Sequence, residues 1–399
     1  MNRLAFISLC IFIFCLPWES AFLFSAFGTL SRAVGLAAAL VCFVAIVRSG
    51  EIRVNGFAII STLFLSYALL TILWSPYPDI TIITIKGAFQ KVAMLFLMHQ
   101  FVYTSRDVRN IFFAFVLGCF VTALSTIYTF HTAPEIAATY HRFAPAGFEE
   151  NDVALVLALG IIMAWHIVLT ANVRIHRCVL AFVPIGFYAS MLTGSRTGFV
   201  GTIIALTTPL VHFRNLSSRG KAAVLLGFFP LGAIVLVGFL HWIPDSTLMR
   251  IGTLTETASY SGPDALGGRA LAWTAGLDMW ARSPLIGNGA GTFAAQNAAL
   301  HGVGINAHNA FVSVATELGL VGLLLFLLLL SMFINNVLTI SNADRATWYL
   351  LVVVLMAVFM MGNWTWKKET WLLFALGTAY VSQSAPGYPN RAFLWRFSR

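Results

Sequence analysis

Long apolar runs, separated by short polar or charged stretches, follow one another along almost the whole chain. A helix needs about 20 predominantly apolar residues to cross the hydrocarbon core of a membrane, and most of these runs reach or approach that length. The predicted spans cover residues 4–24, 29–47, 55–74, 80–103, 108–131, 151–171, 178–193, 198–213, 221–243, 308–335, 346–362 and 369–385. The pattern therefore predicts an all-α, polytopic integral membrane protein with about 12 transmembrane helices.

The connections between the predicted spans are short, with one long exception at residues 244–307. A second, shorter connection covers residues 132–150, and the chain has no internal repeat. We therefore expect a single membrane domain over residues 1–399, with one sizeable loop domain at 244–307 and a smaller loop at 132–150.

The composition agrees with a membrane protein. Only 10% of the residues are charged, whereas soluble domains carry about 25%. The net charge of +9 comes from Lys and Arg between apolar runs, where they act as orientation signals, so we expect no nucleic acid partner. The five cysteines lie in apolar segments and predict neither a disulfide framework nor a metal site.

The positions of Lys and Arg also predict the orientation. The loops on the side of the N-terminus hold most of these residues, so we expect both termini in the cytoplasm and both longer loops on the other side. In a bacterial inner membrane that other side is the periplasm. The N-terminal stretch resembles a signal peptide but lacks a convincing cleavage site, so it is interpreted as the first span.

Several basic residues nevertheless lie on the predicted outer side, where short loops are usually poor in arginine. Arg142 precedes span six, Arg196 lies in the very short, glycine-flanked turn "GSRTG", and Arg269 lies in the long loop. His308 opens span ten, and Lys86 lies about six residues below the outer end of span four. Guanidinium groups suit phosphate oxygens, so these residues predict a pyrophosphate site at the outer face.

Structural roles compete with this interpretation. Arg142 and Arg269 can equally anchor their loops to lipid headgroups or pair with a carboxylate, and His308 can cap its helix together with Asn309. Glu317 lies nine residues beyond His308, half a revolution around an unbroken helix and about 13 Å along it. We therefore expect Glu317 to make a buried structural pair rather than to orient His308.

Three further features of the sequence each allow a functional and a structural interpretation. Lys91 lies near the centre of span four, where a charge indicates function, although a pair with Glu317 or Asp79 would make it structural. Asn151 suits the N-cap of span six. "SPLIGNGAGTF" lacks the glycine order of a nucleotide loop and predicts a compact turn. The chain has no metal-binding or nucleotide-sugar motif, so we expect no metal and no cofactor.

Four stretches of the chain resemble a known family. They are "AGFEENDVAL", "SRTGF", the run from Arg269 and Trp273 into "SPLIGNGAGTF", and "HNAFVSVATELGLVGLLLF". They are similar to the O-antigen ligase / O-antigen polymerase superfamily, which includes exopolysaccharide polymerases. The resemblance implies a metal-independent, inverting glycosyltransferase of the GT-C type.

Such an enzyme takes a glycan from undecaprenyl pyrophosphate at the periplasmic face. Ligases transfer it to lipid A-core, and polymerases transfer it to another lipid-linked repeat. The resemblance implies that His308 contacts the pyrophosphate or takes the proton from the attacking hydroxyl, with Arg269 as its catalytic partner. The pyrophosphate ligands that the resemblance implies are Arg142, Arg196, Arg269 and Lys86. Asn309, Asn151, Lys91 and Glu317 are candidate supporting residues from their positions in the sequence.

We expect the ligase activity, because the loops are compact. A polymerase with the same donor chemistry is the first alternative. A lipid-linked oligosaccharide flippase or secondary transporter is the alternative from another class, but transporters tend to show repeated halves and polar residues at mid-membrane depth. Here no repeat is detected, and most of the unusual polar residues gather at one face.

Overall fold

A computed structural model describes most of the chain, and it is almost entirely helical. The described residues are 2–21, 23–24, 28–133, 142–145, 147–170, 174–213, 218, 221, 266–302, 304–340, 342–384 and 393–396. The α-helices are α1 (Asn2–Cys15), α2 (Leu30–Ser49), α3 (Gly56–Leu70), α4 (Pro78–Phe101), α5 (Ser105–Thr132), α6 (Glu150–Thr170), α7 (Phe182–Leu192), α8 (Arg196–Leu206), α9 (Thr208–Val211), α10 (Leu266–Arg282), α11 (Phe293–His301), α12 (Ala310–Leu338), α13 (Asn342–Met361) and α14 (Lys368–Ser384). The strands are β1 (Leu23–Phe24), β2 (Gly28–Thr29), β3 (Glu51–Val54) and β4 (Phe393–Arg396).

Eight segments of the described residues are long and apolar enough to cross a membrane. They are Asn2–Glu19, Leu30–Ser49, Gly56–Leu73, Pro78–Phe101, Ser105–Thr132, Glu150–Thr170, Ala310–Leu338 and Asp344–Met361. Two shorter apolar helical segments cover Cys178–Leu192 and Arg196–Val211, and α14 coincides with the last predicted span. The chain is therefore a polytopic, mostly helical membrane protein. Apart from its first residue, the predicted span 221–243 lies outside the described residues, so the number of twelve stays a prediction.

Two short antiparallel strand pairs depart from the all-α prediction. β1 pairs with β2, and β3 pairs with β4 over four residues. The side chain of Gln100, near the end of α4, continues the pairing: it donates to the carbonyl of Arg53 at 2.7 Å and accepts from the amide of Arg53 at 2.9 Å. Strands this short carry too few alternating positions to be read from a sequence pattern.

The chain divides into two compact units. The first comprises Met1–Cys42, Thr104–Glu256 and Ser341–Val354, and the second comprises Phe43–Tyr103, Thr257–Ile340 and Leu355–Arg399. The single membrane domain expected over residues 1–399 remains a prediction.

The first unit is built around α6. Every residue from Val153 to Ile167 is buried, and α5, α7 and α8 pack against this helix, as expected for a helix that is apolar on all sides. His166 is the polar exception: its Nδ1 bonds the hydroxyl of Thr347 at 2.9 Å, and its Nε2 lies 3.5 Å from a carboxylate oxygen of Asp344. The buried imidazole is thus satisfied within the unit.

In the second unit, α3 packs against α4 and α12, while α14 packs against α4 and α12. Aromatic rings hold these helices together. Phe57 and Phe374 lie 5.5 Å apart, and Phe64 and Phe326 lie 6.1 Å apart, between ring centroids. The second unit therefore has an aromatic core between these helices.

α12 is bent sharply at Gly319, whose φ of 66° and ψ of −167° are not helical. The rings of Phe311 and Phe326, fifteen residues apart, lie 5.9 Å from each other, whereas a straight helix would advance about 22 Å between them. Residues 310–318 thus fold back on residues 320–338. The predicted tenth span, taken as one continuous helix over 308–335, is wrong in this respect. Its long apolar part is 320–338, which holds no charged residue.

Candidate functional site

In the first unit, the N-terminus of α8 carries Arg196 as its first residue, half-buried. Ser195 caps this helix, because its Oγ accepts the amide of Gly198 at 3.0 Å. A Cβ atom on Gly198 would lie 2.0 Å from the Cβ of Ala154, so only glycine allows α8 to approach α6 this closely. The turn before Arg196 is therefore fixed by local sequence and by packing on α6.

Arg142 joins that turn through a polar network. Its Nη2 donates to Asn151 Oδ1 at 2.8 Å, its Nε donates to the carbonyl of Thr193 at 3.3 Å, and its Nη1 lies 3.6 Å from Glu150 Oε2. Ser195 Oγ donates to the same Asn151 oxygen at 2.8 Å. The structure thus brings Arg142, Asn151 and Arg196 into one region. Arg142 also has a carboxylate partner, Glu150, as the structural interpretation of this residue predicts.

Asn151 does not cap α6 as expected. The helix begins one residue earlier, at Glu150, so Asn151 lies inside the first turn. Its side-chain oxygen instead accepts from both Arg142 and Ser195. Asn151 is therefore the residue through which Arg142 supports the turn that carries Arg196.

Replacing Asn151 by leucine is expected to destabilise the protein by about 1–3 kcal/mol, because the nearly isosteric side chain leaves two donors without their acceptor. Replacement by aspartate keeps the acceptor and is expected to retain most of the stability. The thermal denaturation midpoint of the purified protein in detergent measures both effects. Equal midpoints for the two variants would contradict the role given to this network.

In the second unit, α10 and the segment of α12 before Gly319 lie side by side. The indole nitrogen of Trp273 donates to the carbonyl of Ala307, three residues before α12, at 2.9 Å. Further along both helices, Thr316 Oγ1 donates to the carbonyl of Gly276 at 3.0 Å. The two segments therefore run in the same direction. Arg269, half-buried, precedes Trp273 by one helical turn and shares its face, so it lies at the end of α12 that bears His308.

His308 and Asn309 divide the tasks at the start of α12. Asn309 is the N-cap, since its Oδ1 accepts the amides of Phe311 at 2.9 Å and Val312 at 3.1 Å. His308 lies outside the helix with φ of 46°, a left-handed conformation in which histidine is several-fold enriched among non-glycine residues. Its half-buried imidazole has no hydrogen-bond partner among the residues that the structure describes. The ring nitrogens are thus available to a ligand.

The glycine-rich segment 283–292 forms the compact turn predicted from its composition, and it fills the break in α12. In an unbroken helix, the amides of Leu320 and Val321 would bond the carbonyls of Thr316 and Glu317. Here the segment supplies all four partners. The two carbonyls accept from this segment: Asn288 N donates to Thr316 O at 3.1 Å and Gly289 N to Glu317 O at 2.8 Å. The two amides donate to it: Leu320 N bonds Pro284 O at 2.8 Å and Val321 N bonds Leu285 O at 3.2 Å. These four backbone groups, which the bend frees from helical bonds, are therefore all paired.

Glu317 is buried beside this turn. Its carboxylate accepts the amide of Gly291 at 2.7 Å and the hydroxyl of Ser313 at 3.0 Å, and it also bonds the amide of Phe293. Phe293 begins α11, whose N-cap residue Thr292 makes no capping bond with its side chain. The carboxyl group of Glu317 therefore accepts hydrogen bonds at the start of α11, where Thr292 supplies no side-chain cap.

The two lysines of α4 differ in exposure. Because α4 begins at Pro78, Lys86 lies eight residues inside the helix rather than six, and its side chain is exposed. Lys91 is half-buried, with its ammonium against Gly87, where a Cβ atom would lie 3.2 Å from Nζ. Glu317 bonds Gly291, Ser313 and Phe293, and Lys91 takes part in none of these hydrogen bonds.

Ser195 is a residue of this region that the sequence pattern did not predict, and Trp273 was predicted only through the family resemblance. The helix-cap preference of serine and the spacing of Arg269 and Trp273 were the available signals. Among the described residues, no group of three or more His, Cys, Asp or Glu side chains could hold a metal ion.

These features define a polytopic membrane protein with basic and polar groups at the ends of its helices. Residues 179–327 match the O-antigen ligase family, which confirms the resemblance to that superfamily. The match includes Arg196, Arg269 and His308 and supports a function of the O-antigen ligase and polymerase type, with glycosyltransferase-like activity. No curated protein matches the chain.

Proposed function

We propose that this protein is an O-antigen ligase. It transfers a glycan from undecaprenyl pyrophosphate to a sugar of lipid A-core at the periplasmic face of the bacterial inner membrane, by a metal-independent, inverting GT-C mechanism. The observation that carries the proposal is the bond between Trp273 and Ala307, which holds Arg269 at the His308 end of α12 within the matched segment. Both termini are assigned to the cytoplasm from the distribution of Lys and Arg.

The basic residues stabilise the pyrophosphate leaving group. Undecaprenyl pyrophosphate gains negative charge as the glycosidic bond breaks, and fixed cations stabilise such a charge without reorganising. Arg196, Arg269 and the exposed Lys86 are assigned to the pyrophosphate. Arg142, whose donors bond Asn151, Thr193 and Glu150, contributes chiefly by supporting the turn of Arg196.

His308 serves the acceptor. The acceptor hydroxyl attacks the anomeric carbon from the side opposite the pyrophosphate, a new glycosidic bond forms, and the bond to the pyrophosphate oxygen breaks with its electron pair. The hydroxyl proton passes to the imidazole, since histidine is the side chain suited to proton transfer near neutral pH. Direct contact between His308 and the pyrophosphate is the alternative role.

The bend in α12 also bears on the transporter alternative. Transporters use discontinuous helices whose unwound backbone groups bind substrates or ions. At Gly319 the freed carbonyls and amides bond the segment 283–292 instead. The break in α12 thus supports a structural role, because its backbone groups bond the protein itself rather than an ion. This favours glycosyl transfer at the membrane surface over transport across the membrane.

The deciding experiment is transfer in proteoliposomes that contain the purified protein and a lipid-linked glycan, with lipid A-core as acceptor and His308→Ala as the comparison. Glycan on lipid A-core that disappears in the variant is the expected result. Longer lipid-linked chains without any lipid A product would instead identify a polymerase. No transfer to either acceptor by folded protein would favour a flippase or transporter.

A further inference from the structure

The loop between α13 and α14, residues 362–367, lies beside the His308–Asn309 pair. Asn309 Nδ2 donates to the carbonyl of Met360 at 3.4 Å, two residues before the loop. The rings of Phe311 and Phe359 are 6.2 Å apart, which is a second contact between the same two helices. The loop therefore begins two residues beyond a contact with Asn309, the chain neighbour of the proposed proton acceptor.

Trp366 forms part of this loop and is half-buried. Its ring stacks on Phe64, with centroids 5.0 Å apart, and lies parallel to Trp371 at 6.3 Å. An interfacial anchor would turn its ring toward lipid, but this ring packs on aromatic rings of the protein. Trp371 donates its indole N–H to Thr365 O at 3.0 Å, whereas the N–H of Trp366 has no acceptor among the described residues.

Two acceptor atoms of the same loop are also unpaired within the described part of the chain. Asn363 Oδ1 and Thr365 Oγ1 are buried and receive no hydrogen bond, and Thr365 is only 2% exposed. Two backbone carbonyls beside them are paired: that of Trp364 accepts the hydroxyl of Thr370 at 2.9 Å, and that of Thr365 accepts the indole N–H of Trp371 at 3.0 Å. Unpaired buried acceptors are costly and rare in folded proteins, so they call for a donor.

We propose that Asn363 and Trp366, both in the loop 362–367, form the subsite for the acceptor sugar, an inference that rests on the proposed glycosyl transfer. A pyranose presents hydroxyl groups that both donate and accept. One hydroxyl donates to Asn363 Oδ1 and another accepts from the indole N–H of Trp366, while the exposed part of that ring contacts the apolar face of the sugar. The sugar is thereby held next to Asn309, with its attacking hydroxyl at His308.

The test is steady-state kinetics in proteoliposomes, varying acceptor at saturating donor and donor at saturating acceptor. The acceptor is purified lipid A-core, or the lipid-linked glycan itself where the first assay yields only longer lipid-linked chains. Trp366→Phe keeps a ring on Phe64 but removes the N–H, and Asn363→Ser removes the amide. Trp364→Phe alters a buried indole of the same loop, 2% exposed, and serves as the matched control.

We expect Trp366→Phe and Asn363→Ser each to raise the KM for acceptor by about tenfold, the loss of one hydrogen bond, with the KM for donor unchanged. The control is expected to change neither KM. An unchanged acceptor KM, an equal rise in donor KM, or an equal rise in the control would overturn the subsite. The proposed function fails separately, when the wild-type protein transfers no glycan at all.

Discussion

Arg269→Ala is expected to lower glycan transfer by about 100- to 1,000-fold, which is the usual effect of removing one fixed group that stabilises developing charge. The negative charge that develops on the departing pyrophosphate is the larger electrostatic change of the reaction. Arg269 is held at the His308 end of α12 by the bond between Trp273 and Ala307. We therefore expect His308→Ala to cost less activity than Arg269→Ala. The measurement is transfer to lipid A-core at saturating donor.

Arg282→Ala is the matched control for this prediction. Arg282 lies on the same helix, α10, but its side chain is exposed and pairs with Asp278 at 2.9 Å, so its loss should leave transfer close to wild type. Arg269→Lys retains the charge without the bidentate geometry and should fall between wild type and alanine. Near-full transfer by Arg269→Ala, beside a strong loss in His308→Ala, would reverse the proposed order of importance.

Gly287→Ala is expected to destabilise the protein by more than about 4 kcal/mol, or to prevent folding altogether. A Cβ atom there would lie 2.4 Å from the carbonyl oxygen of Glu317 and 2.4 Å from the amide nitrogen of Gly319, and neither backbone atom can move without breaking the bend. The turn that replaces the helical hydrogen bonds of α12 would be displaced. The thermal midpoint in detergent and the yield of monodisperse protein report this effect.

Gly302→Ala separates steric exclusion from backbone strain. Gly302 has the same φ of 73° as Gly287, but a Cβ atom there would meet nothing within 4 Å. The alanine should therefore cost only the left-handed conformation, about 1–2 kcal/mol. Similar losses in the two variants would mean that backbone conformation alone accounts for both, and that the close packing of segment 283–292 into the bend contributes little.

The position of Arg269 relative to Trp273 shows how much of the candidate site could be predicted from the sequence. Their spacing of four residues predicts a shared helix face, and the structure shows that Trp273 on this face bonds Ala307. That Ala307 is the partner follows from the parallel packing of α10 and α12, which no local pattern encodes. Asn151 is the converse case, since its helix-capping preference was visible but its oxygen serves Arg142 and Ser195 instead.

The membrane-length helices are predictable from the sequence alone, because an apolar run in hydrocarbon must satisfy its backbone hydrogen bonds within the helix. The sequence also identified the basic residues and their family resemblance. The bend of α12 at Gly319 could not be predicted from the sequence, because the apolar pattern continues through that glycine. It depends on tertiary contacts, since the replacement hydrogen bonds come from residues 283–292. The same holds for the loop 362–367, which begins two residues after Met360, whose carbonyl bonds Asn309, the chain neighbour of His308.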